Sequence, residues 1–267
     1  MTPEDYKKKA NDVRKTVLKL IYEAQTSHIG SNFSCVDILV VLYSIANVDK
    51  DLKEDRDRVV VSKGWVAATI YALLAEKGII PKEDLETYCK DGSQYIGLVE
   101  PSVRGIEAAG GSMGFGLPFG VGFALAKKIK EEKGRVFVLM SDGELQIGTT
   151  WESLLIAKQH NLSQLVVLVD NNRWQAMGRT KDILNIEPIE ERIRSFGWNV
   201  SRIDGHNYDQ IDQALRNEPA NSPSVIVCDT IKGKGVKKFE DNNTYHYKEL
   251  SQEEYEEALK ELSQANG

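Results

Sequence analysis

Two polar residues, Asp142 and Asn172, lie 30 positions apart, and each follows an apolar run of the same kind. Asp142 comes directly after "VFVLMS" and precedes Gly143, and Asn172 comes directly after "LVVLVDN". A carboxylate and an amide oxygen are hard ligands that suit Mg²⁺ or Ca²⁺. Gly143 lets the backbone approach a ligand closely, and a helix N-terminus nearby favours phosphate. The pair therefore predicts a metal-bridged diphosphate site.

A structural role is the alternative for each dipeptide taken alone. Asp-Gly is a common turn, and Asn-Asn can cap a helix. Both dipeptides come at the end of an apolar run, however, and this pairing favours the binding site. Beyond Gly143, either Thr149 or Thr150 is expected to cap the helix "TWESLLIAKQH".

The elements that must position Asp142 and Asn172 are short β-branched runs separated by helical stretches. Five runs are typical of strands: "RVVVS", "RVFVLMSD", "QLVVLVDNN", "WNVSRID" and "SVIVCDTI". Their alternation with helices predicts a parallel sheet, and the continuous apolar runs predict strands buried on both faces. The expected fold is therefore α/β, a three-layer sandwich with a central, mainly parallel sheet and helices on both faces. Ligands collect at the carboxyl ends of such strands, where both polar residues fall.

Apolar residues at helical spacing predict helices over residues 3–25 and 35–47, the second after a Ser/Asn-rich turn. The segment "SQEEYEEALKEL" is interpreted as a polar C-terminal tail helix. No internal repeat, low-complexity linker or Pro-rich boundary divides the sequence. We therefore expect a single domain over residues 1–267.

Composition and charge narrow the class of protein. The 267 residues are 41% hydrophobic, enough for one sizeable core, and 34 basic against 40 acidic residues give a net charge of -6. The acidic balance argues against a nucleic-acid partner, since the only concentrated basic run, Lys232 to Lys238, is short. Neither a signal-like N-terminus nor a membrane-length apolar run occurs, so neither export nor anchoring is expected. Cys35, Cys89 and Cys228 fit no disulfide framework or zinc site, and a reducing cytoplasm suits them best.

The Asp-Gly pair, with Asn 30 residues later and a Trp-Glu helix between, resembles the thiamine diphosphate motif of the transketolase family. Three further segments are similar to family motifs, in the family's order: "TSHIGSNFSCVDILVVLY", "DRVVVSKGWVAATIYALLAEKG" and "GIEAAGGSMGFGLPFGVGFALA". The resemblance extends over nearly the whole chain but covers only the first third to half of the family's length. It implies the diphosphate-binding domain of a transketolase encoded as two chains, with the thiamine diphosphate-binding fold.

The resemblance implies a cofactor site with a metal ion. The side chains of Asp142 and Asn172 and the main-chain carbonyl of Trp174 are the implied ligands of Mg²⁺, with Ca²⁺ as the alternative. Gly143 is expected to donate its N–H to the diphosphate. The implied contacts to thiamine diphosphate are Trp65, Gly111, Met113, Gly114, Asp142, Gly143, Glu144 and Asn172, of which three lie in the glycine-rich loop from Gly111 to Gly116.

Two histidines acquire catalytic roles through the resemblance. His28, in "SHIG", and His246, in "YHY", match family histidines near the reacting carbon. An imidazole donates or accepts a proton near neutral pH, which suits addition to a carbonyl and its reversal. A packed or surface position is the alternative for each. His206, in "DGHN", also matches the family but is better explained by a capping or loop role, and His160 is interpreted as an ordinary helical residue.

Several positions depart from the family pattern. Trp65 replaces a histidine that normally reaches the cofactor's phosphate and the substrate, and Leu98 stands where a second histidine bonds the donor's hydroxyl. A hydroxyl left without a partner costs about 1 to 3 kcal/mol, so the pocket is expected to be less polar than usual. We hypothesise a donor or acceptor other than the ordinary sugar phosphates, with transfer of a less hydroxylated two-carbon unit such as acetyl. Ile147 replaces an acid that links sites across the dimer, and Glu152 is either partner-facing or a solvated carboxylate.

The resemblance also implies a partner. The family's catalytic glutamate, which tautomerises the aminopyrimidine of the cofactor, belongs to a pyrimidine-binding domain that follows the segment seen here. A second chain is expected to supply it in an α2β2 assembly, and the enzyme would transfer a two-carbon unit from a ketose or related donor to an aldehyde. Two alternatives stay open: a subunit of a thiamine diphosphate-dependent 2-oxoacid decarboxylase or carboligase, and a non-catalytic regulatory subunit.

Overall fold

Five parallel strands form the sheet of this protein, whose computed structural model describes residues 1–217 and 221–264. The strands are β1 (Arg58–Val61), β2 (Val136–Ser141), β3 (Leu165–Asn171), β4 (Asn199–Asp204) and β5 (Ser224–Asp229). They lie in the order β1-β2-β3-β5-β4, and each neighbouring pair is parallel. Each of the five predicted runs contains one of these strands.

The helices of the described residues precede, connect and follow the strands. They are α1 (Pro3–Glu23), α2 (Ile29–Ser34), α3 (Val36–Ile45), α4 (Ala67–Glu76), α5 (Gly116–Ile129), α6 (Gly148–Gln159), α7 (Thr180–Ile183), α8 (Ile189–Ser195), α9 (Tyr208–Arg216) and α10 (Gln252–Gln264). Short 3₁₀ helices occur at Gly64–Val66, Glu83–Thr87, Asp142–Gln146 and Asn243–His246. Within residues 1–217 and 221–264, no helix is both long enough and apolar enough to cross a membrane.

Helices cover both faces of the sheet. Consecutive strand residues point to opposite faces, so each buried strand contributes apolar residues to two clusters. Phe137 and Leu139 of β2 belong to one apolar cluster, which includes residues of α1, α3, α4 and α9. Val136 and Val138 belong to a second cluster, which includes residues of α5, α6 and α8. The predicted α/β three-layer sandwich with a parallel sheet is confirmed.

The edge strand β4 differs from the central strands. β2 and β3 are buried along their whole length, whereas Asn199, Ser201 and Asp204 of β4 are exposed. The prediction that the strands are buried on both faces is therefore wrong for β4. Its sequence mixes polar and apolar residues because only one neighbour, β5, pairs with it within the described residues.

Helix α10 packs along α1 and does not project as a polar tail. Asn11 of α1 donates a hydrogen bond from Nδ2 to the carbonyl of Leu262 over 2.6 Å. The rings of Tyr22 and Tyr255 stack with their centroids 4.2 Å apart. Glu254, Ala258 and Leu262, spaced four residues apart, are buried on one face of α10, whereas Glu253, Glu256 and Glu257 are exposed. The tail prediction is wrong because it rested on the overall polarity of the segment and not on this periodicity.

The Ser/Asn-rich segment before α3 is helix α2 and not the predicted turn. Its polar side chains are buried and satisfied: Asn32 donates from Nδ2 to the carbonyl of Trp65 at 3.2 Å, and Ser34 donates to Asp170 at 2.5 Å. Residues of these types usually favour turns, and here tertiary hydrogen bonds override that preference. The helix begins after His28, whose φ of 74° lies in the left-handed region.

The register of β2 and β3 sets the two polar residues of the predicted site side by side. Ser141, at the end of β2, pairs with Asp170 of β3. Asp142 and Asn172 therefore leave the sheet from neighbouring strands at the same edge, as the sequence predicts.

Candidate functional site

Asp142 is buried at the start of a 3₁₀ helix, where the chain leaves β2. It is 1% exposed, and its carboxylate accepts hydrogen bonds from Thr180 Oγ1 at 2.7 Å and from the N–H of Gly143 at 2.9 Å. Burial raises the pKa of Asp142 to about 7, and the hydrogen bond from Thr180 opposes this only in part. A buried carboxylate in this state gains stability from a nearby cation.

Asn172 and Trp174 lie beside Asp142, just past β3. The amide oxygen of Asn172 accepts the N–H of Trp174 at 3.0 Å, and its Nδ2 donates to Asp170 at 3.2 Å. Trp174 pairs with Arg179 in an antiparallel bridge, so residues 174–179 form a tight hairpin. An amide oxygen has two lone pairs, and one is still available after the bond to Trp174.

The donors at this edge fit a hard divalent cation. The carboxylate of Asp142, the amide oxygen of Asn172 and the main-chain carbonyl of Trp174 are all oxygen ligands. The soft or imidazole-rich sets that favour zinc or copper are not found here, since the described residues hold no group of three or more His, Cys, Asp or Glu arranged for a metal. The residues present therefore suit Mg²⁺ or Ca²⁺.

Gly143 brings the glycine-rich loop against the end of β2. A Cβ at Gly143 would lie 3.2 Å from both Met113 Cε and Gln175 Cγ, so only hydrogen occupies the space between these side chains comfortably. Gly143 and Met113, both expected cofactor contacts, are thus neighbours. The N–H of Gly143, which the resemblance directs at a diphosphate, donates to Asp142 in this structure.

Glu144 holds the glycine-rich loop in place. Its carboxylate accepts hydrogen bonds from the N–H of Gly114 at 3.0 Å, from the N–H of Ser141 at 2.9 Å and from the hydroxyl of Ser62. The hydroxyl of Ser62 in turn accepts the N–H of Gly116 at 3.0 Å. Both carboxylate oxygens of Glu144 are therefore bound to protein groups, and the structure assigns its side chain to the loop.

The two threonines expected to cap α6 have another role. α6 begins at Gly148, so Thr149 and Thr150 lie inside its first turn. Thr149 donates to the carbonyl of Gly114 and Thr150 to the carbonyl of Glu144, each over 2.8 Å. The cap prediction is wrong because the hydroxyls reach carbonyls of the neighbouring loops and do not reach the N–H groups of their own helix.

Sequence reasoning missed a buried ion pair next to the site. Lys63, directly after β1, donates from Nζ to the carboxylate of Asp170, which also accepts the hydroxyls of Ser34 and Thr230. Burial acts to raise the pKa of Asp170, but the Lys63 ammonium and the hydroxyls of Ser34 and Thr230 together outweigh it and hold that pKa below its usual value. The signal available in the sequence was Asp170, a carboxylate inside the apolar run of β3, because a buried charge requires a partner of opposite charge.

His28 and His246 meet at the same edge of the sheet. Their ring centroids are 4.9 Å apart. The backbone N–H of His28 donates a hydrogen bond to the backbone carbonyl of His246 at 3.0 Å. Burial, with a smaller effect of Lys232, lowers the pKa of His28 to about 4 and that of His246 to about 3. Both imidazoles are therefore neutral at pH 7. The structure brings these two histidines together. It places His206 against the buried carboxylate of Asp37 and His160 in an exposed position after α6.

Lys232 is the second residue that sequence reasoning missed. Its side chain is buried, and Nζ lies 2.7 Å from both Asn243 Oδ1 and His246 Nδ1. Burial, aided by Lys63, lowers the pKa of Lys232 to about 7. An ammonium at this depth, beside a predicted diphosphate site, suits an anionic ligand. Its signal was hidden because "KGKGVKK" looks like a short basic surface run.

Trp65 supplies apolar surface near His28, and Leu98 lies against Gly111 of the glycine-rich loop. The ring centroids of Trp65 and His28 are 6.4 Å apart. Leu98 is 39% exposed, and a Cβ on Gly111 would lie only 2.9 Å from its Cδ2. Backbone hydrogen bonds join the neighbouring residues Gly64, Val99 and Gly110. Two expected cofactor contacts, Trp65 and Gly111, thus share this wall of the site.

Comparison with known proteins identifies the family. Residues 6–265 match the family described as transketolase, thiamine diphosphate binding domain. The chain is 35% identical to one of the subunits of the apulose-4-phosphate transketolase of Phocaeicola vulgatus, over 94% of this chain and 91% of that one. It is 34% identical to a 6-deoxy-6-sulfo-D-fructose transketolase subunit of Clostridium sp., over 97% of this chain and 96% of that one.

A solved structure gives the same result. The crystal structure of transketolase from Campylobacter jejuni superposes with a TM-score of 0.92 at 28% identity, covering 98% of this chain and 43% of that one. The chain therefore spans about two fifths of a solved transketolase, but nearly the full length of the two subunit relatives. The predicted resemblance is confirmed: the chain belongs to the transketolase family and corresponds to its thiamine diphosphate-binding domain.

Proposed function

We propose that this chain is the diphosphate-binding subunit of a two-chain, transketolase-like enzyme that transfers a two-carbon unit from a ketose or related donor to an aldehyde. The observation that carries the proposal is the buried pair Asp142 and Asn172, which leave neighbouring strands beside Gly143. The relatives named as transketolase subunits support it, because they match this chain along nearly their whole length.

The proposed cofactor site uses residues from five segments. Asp142, Asn172 and the carbonyl of Trp174 would hold Mg²⁺ or Ca²⁺, and Lys232 would neutralise the diphosphate. Thiamine diphosphate, when bound, supplies a nucleophilic carbon that carries the transferred fragment. The remaining proposed contacts are Trp65, Gly111, Met113, Gly114 and Gly143, with Glu144 fixing the loop that contains Gly114.

The proposed proton chemistry belongs to His28 and His246. With Lys232 protonated, its ammonium can only donate to His246 Nδ1, and His246 is then proposed to carry its proton on Nε2. A neutral imidazole with a fixed N–H can donate a hydrogen bond to a substrate oxygen, and the low pKa of His28 leaves its ring able to accept one. Positioning these groups before the substrate arrives lowers the cost of reaching the transition state.

The apolar wall carries a proposal about specificity. Trp65 and Leu98 cannot hydrogen-bond a donor's hydroxyls, so a donor with fewer hydroxyls near this wall should be favoured. The test compares xylulose 5-phosphate with donors of an acetyl unit, using the enzyme with its partner. Replacing both wall residues by histidine should shift the ratio of kcat/KM toward xylulose 5-phosphate by about tenfold. Equal use of xylulose 5-phosphate by this enzyme and by ordinary transketolases would refute the proposal.

The second subunit is proposed to supply the pyrimidine-binding domain and its catalytic glutamate, in an α2β2 assembly. The surface formed by α5 and α6 supports such an interface, since Phe115, Phe119, Leu155 and Ile156 are exposed on or directly before these two packed helices. We also propose a cytoplasmic location, because Cys35, Cys89 and Cys228 are free thiols, as is usual in a reducing compartment.

Calorimetry tests the site directly. The chain, mixed with a partner that carries the pyrimidine-binding domain, is titrated with thiamine diphosphate in the presence of Mg²⁺. Asp142→Ala and Asn172→Ala should each weaken binding by at least about tenfold, since each removes a metal ligand. The matched control is Asp12→Ala, an exposed acid of α1, which should bind like the unchanged chain.

Two outcomes would overturn the proposed function. Absence of cofactor binding with the partner present would favour a non-catalytic subunit. Release of carbon dioxide from 2-oxoacids, without two-carbon transfer between sugars, would favour a decarboxylase or carboligase.

A further inference from the structure

A buried cluster behind the site contains the one motif histidine that the proposed function leaves without a role. We call it the Asp37 cluster, and its members are Arg14, Asp37, His206 and Tyr208. The carboxylate of Asp37 is 2% exposed and accepts four hydrogen bonds: two from Arg14 at 2.9 and 2.7 Å, one from His206 Nδ1 at 2.8 Å and one from the hydroxyl of Tyr208 at 2.8 Å. Burial acts to raise the pKa of Asp37, but Arg14 and His206 together outweigh it and lower that pKa, so the carboxylate is ionised and fully satisfied.

His206 connects this cluster to the chain beside Lys232. Its Nε2 lies 2.9 Å from the backbone N–H of Ile231. A backbone N–H can only donate, so Nε2 accepts, and the proton of a neutral imidazole must then sit on Nδ1, which donates to Asp37. Both ring nitrogens of His206 are therefore committed, and the ring ties Ile231 to Asp37.

Arg14 holds the same loop on the other side of Lys232. Besides its two bonds to Asp37, it donates from Nε to the carbonyl of Lys234 at 2.9 Å. The next residue, Gly235, has a φ of 103°, and a Cβ there would lie 2.9 Å from Arg14 Cδ, so the loop passes close against the arginine. Ile231 and Lys234 are thus both anchored to one carboxylate, and Lys232 lies between the two anchors.

The anchored loop fixes the direction of Lys232. The N–H of Gly233 donates to the carbonyl of Gly30 at 2.9 Å, and the stem of Lys232 passes Gly30, whose Cβ would lie 3.3 Å from Lys232 Cγ. Nζ ends 2.7 Å from His246 Nδ1 and 2.7 Å from Asn243 Oδ1. An ammonium can only donate, so with Lys232 protonated the imidazole accepts at Nδ1 and His246 keeps its proton on Nε2.

We propose that the Asp37 cluster is a positioning device: by holding Ile231 and Lys234, it aims Lys232 so that His246 stays in the Nε2–H tautomer. The catalytic importance of that tautomer rests on the proposed function. The presence of the tautomer in the cofactor-free chain does not depend on the proposed function. Arg14, Asp37 and His206 act through Lys232 and touch no substrate.

Nitrogen NMR of the imidazoles tests the proposal in the full chain without cofactor. The sequence has 4 histidines, so each gives a separable pattern. In the unchanged chain, His246 should show a protonated Nε2 and an unprotonated Nδ1. His206→Leu should release the loop and give a mixture of the two tautomers at His246. His206→Gln, which offers one donor and one acceptor, should restore the original pattern at least in part.

A matched variant separates positioning from stability. Tyr208→Phe removes a hydrogen bond to the same carboxylate without touching the loop, so it should lower the melting temperature yet leave the His246 pattern unchanged. In the assembled enzyme, His206→Leu should lower kcat by about tenfold and, because Lys232 also neutralises the diphosphate in the proposed site, weaken the binding of thiamine diphosphate without abolishing it. If His206→Leu does not fold, His206→Asn, which is too short to span both partners, takes its place.

Two results would overturn the proposal: an unchanged His246 pattern in the folded His206→Leu or His206→Asn chain, or the same tautomer mixture in Tyr208→Phe. Failure of the proposed function would look different, because it would abolish cofactor binding and leave the cofactor-free spectra as described.

Discussion

Lys63 and Asp170 show what one buried charge requires of its neighbours. Both side chains are almost completely buried, and they form an ion pair with each other. Lys63→Met would leave the carboxylate of Asp170 in the interior without its cation. Removing one partner of such a pair costs about 3 to 5 kcal/mol in the free energy of unfolding, because the remaining charge stays desolvated. Urea unfolding of the cofactor-free chain measures this cost.

A surface pair supplies the control for Lys63→Met. Lys130 is paired with Glu132 but is 68% exposed, so Lys130→Met should change the free energy of unfolding by less than about 1 kcal/mol. Adding Asp170→Asn to Lys63→Met should recover part of the loss, because the second change removes the stranded charge. Equal, small effects of the two methionine variants would show that the buried pair contributes little.

The low pKa values of His28 and His246 predict how stability depends on pH. An unfolded histidine titrates near 6.5, whereas these two titrate at about 4 and about 3 in the folded chain. Between the unfolded pKa of 6.5 and these lower folded pKa values, the unfolded state binds more protons than the folded state. The free energy of unfolding therefore falls as the pH drops from 6.5 toward 4. The double variant His28→Gln, His246→Gln should show a shallower fall in urea unfolding.

Comparing the two chains isolates the histidine contribution, since buried carboxylates titrate in both of them. Parallel curves for the unchanged chain and the double variant would contradict the assignment of the low pKa values to these rings.

At the scale of the residue, the proposed metal ligands are easier to predict from the sequence than the buried lysines. Asp142 and Asn172 each have a common structural explanation alone, but their pairing after two similar apolar runs favours a binding site. Lys63 and Lys232 follow strands in the same way, but most lysines are exposed, and nothing in their type distinguishes a buried one. Their partners, Asp170 and Asn243, are distant in the chain or lie in another element, so only the fold reveals them.

At the scale of the element, the glycine-rich loop is the part of the site with the least freedom. Gly114 has a φ of 83°, and a Cβ there would lie 2.4 Å from Ile147 Cγ2. Gly114→Ala should therefore strain the backbone and displace the loop from α6. We expect a lower melting temperature and weaker binding of thiamine diphosphate, measured by calorimetry of the assembled enzyme.

Gly122, within α5, is the matched control for Gly114. A Cβ there meets nothing within 4 Å, so Gly122→Ala should stabilise the chain by up to about 1 kcal/mol through helix propensity. A rise in stability in both variants would contradict the strained geometry assigned to the loop.

The elements themselves were predicted with uneven success. Every strand could be found: β1, β2, β3 and β5 contain continuous apolar runs that follow or precede polar residues, whereas β4 mixes polar and apolar residues. α2 was mistaken for a turn, since the tertiary hydrogen bonds of Asn32 and Ser34 outweigh their local preference. α10 was mistaken for a tail, although Ala258 and Leu262 carry the period of a packed helix.

At the scale of the whole molecule, the exposed apolar surface of α5 and α6 predicts association. Leu155 is 58% exposed on α6, and Phe119 lies on the neighbouring α5. Leu155→Glu should weaken assembly with the second subunit, since a charge in an apolar interface loses its hydration. Light scattering after size-exclusion chromatography of the mixed subunits measures the mass of the complex.

Ile129→Glu is the control for the interface, because Ile129 is also exposed but lies at the opposite end of α5 from Phe115. The complex should keep its mass in this variant. An unchanged mass in Leu155→Glu as well would locate the interface on another face.

The position of β5 in the sheet has a consequence for synthesis on the ribosome. β5 lies between β3 and β4, yet it is the last of the three to be translated, and His246 follows it. A nascent chain that already contains Asp142 and Asn172 still has an open edge along β3, and it lacks His246, one of the two imidazoles of the proposed site. We therefore expect loading of the vitamin only after β5 and His246 have been translated.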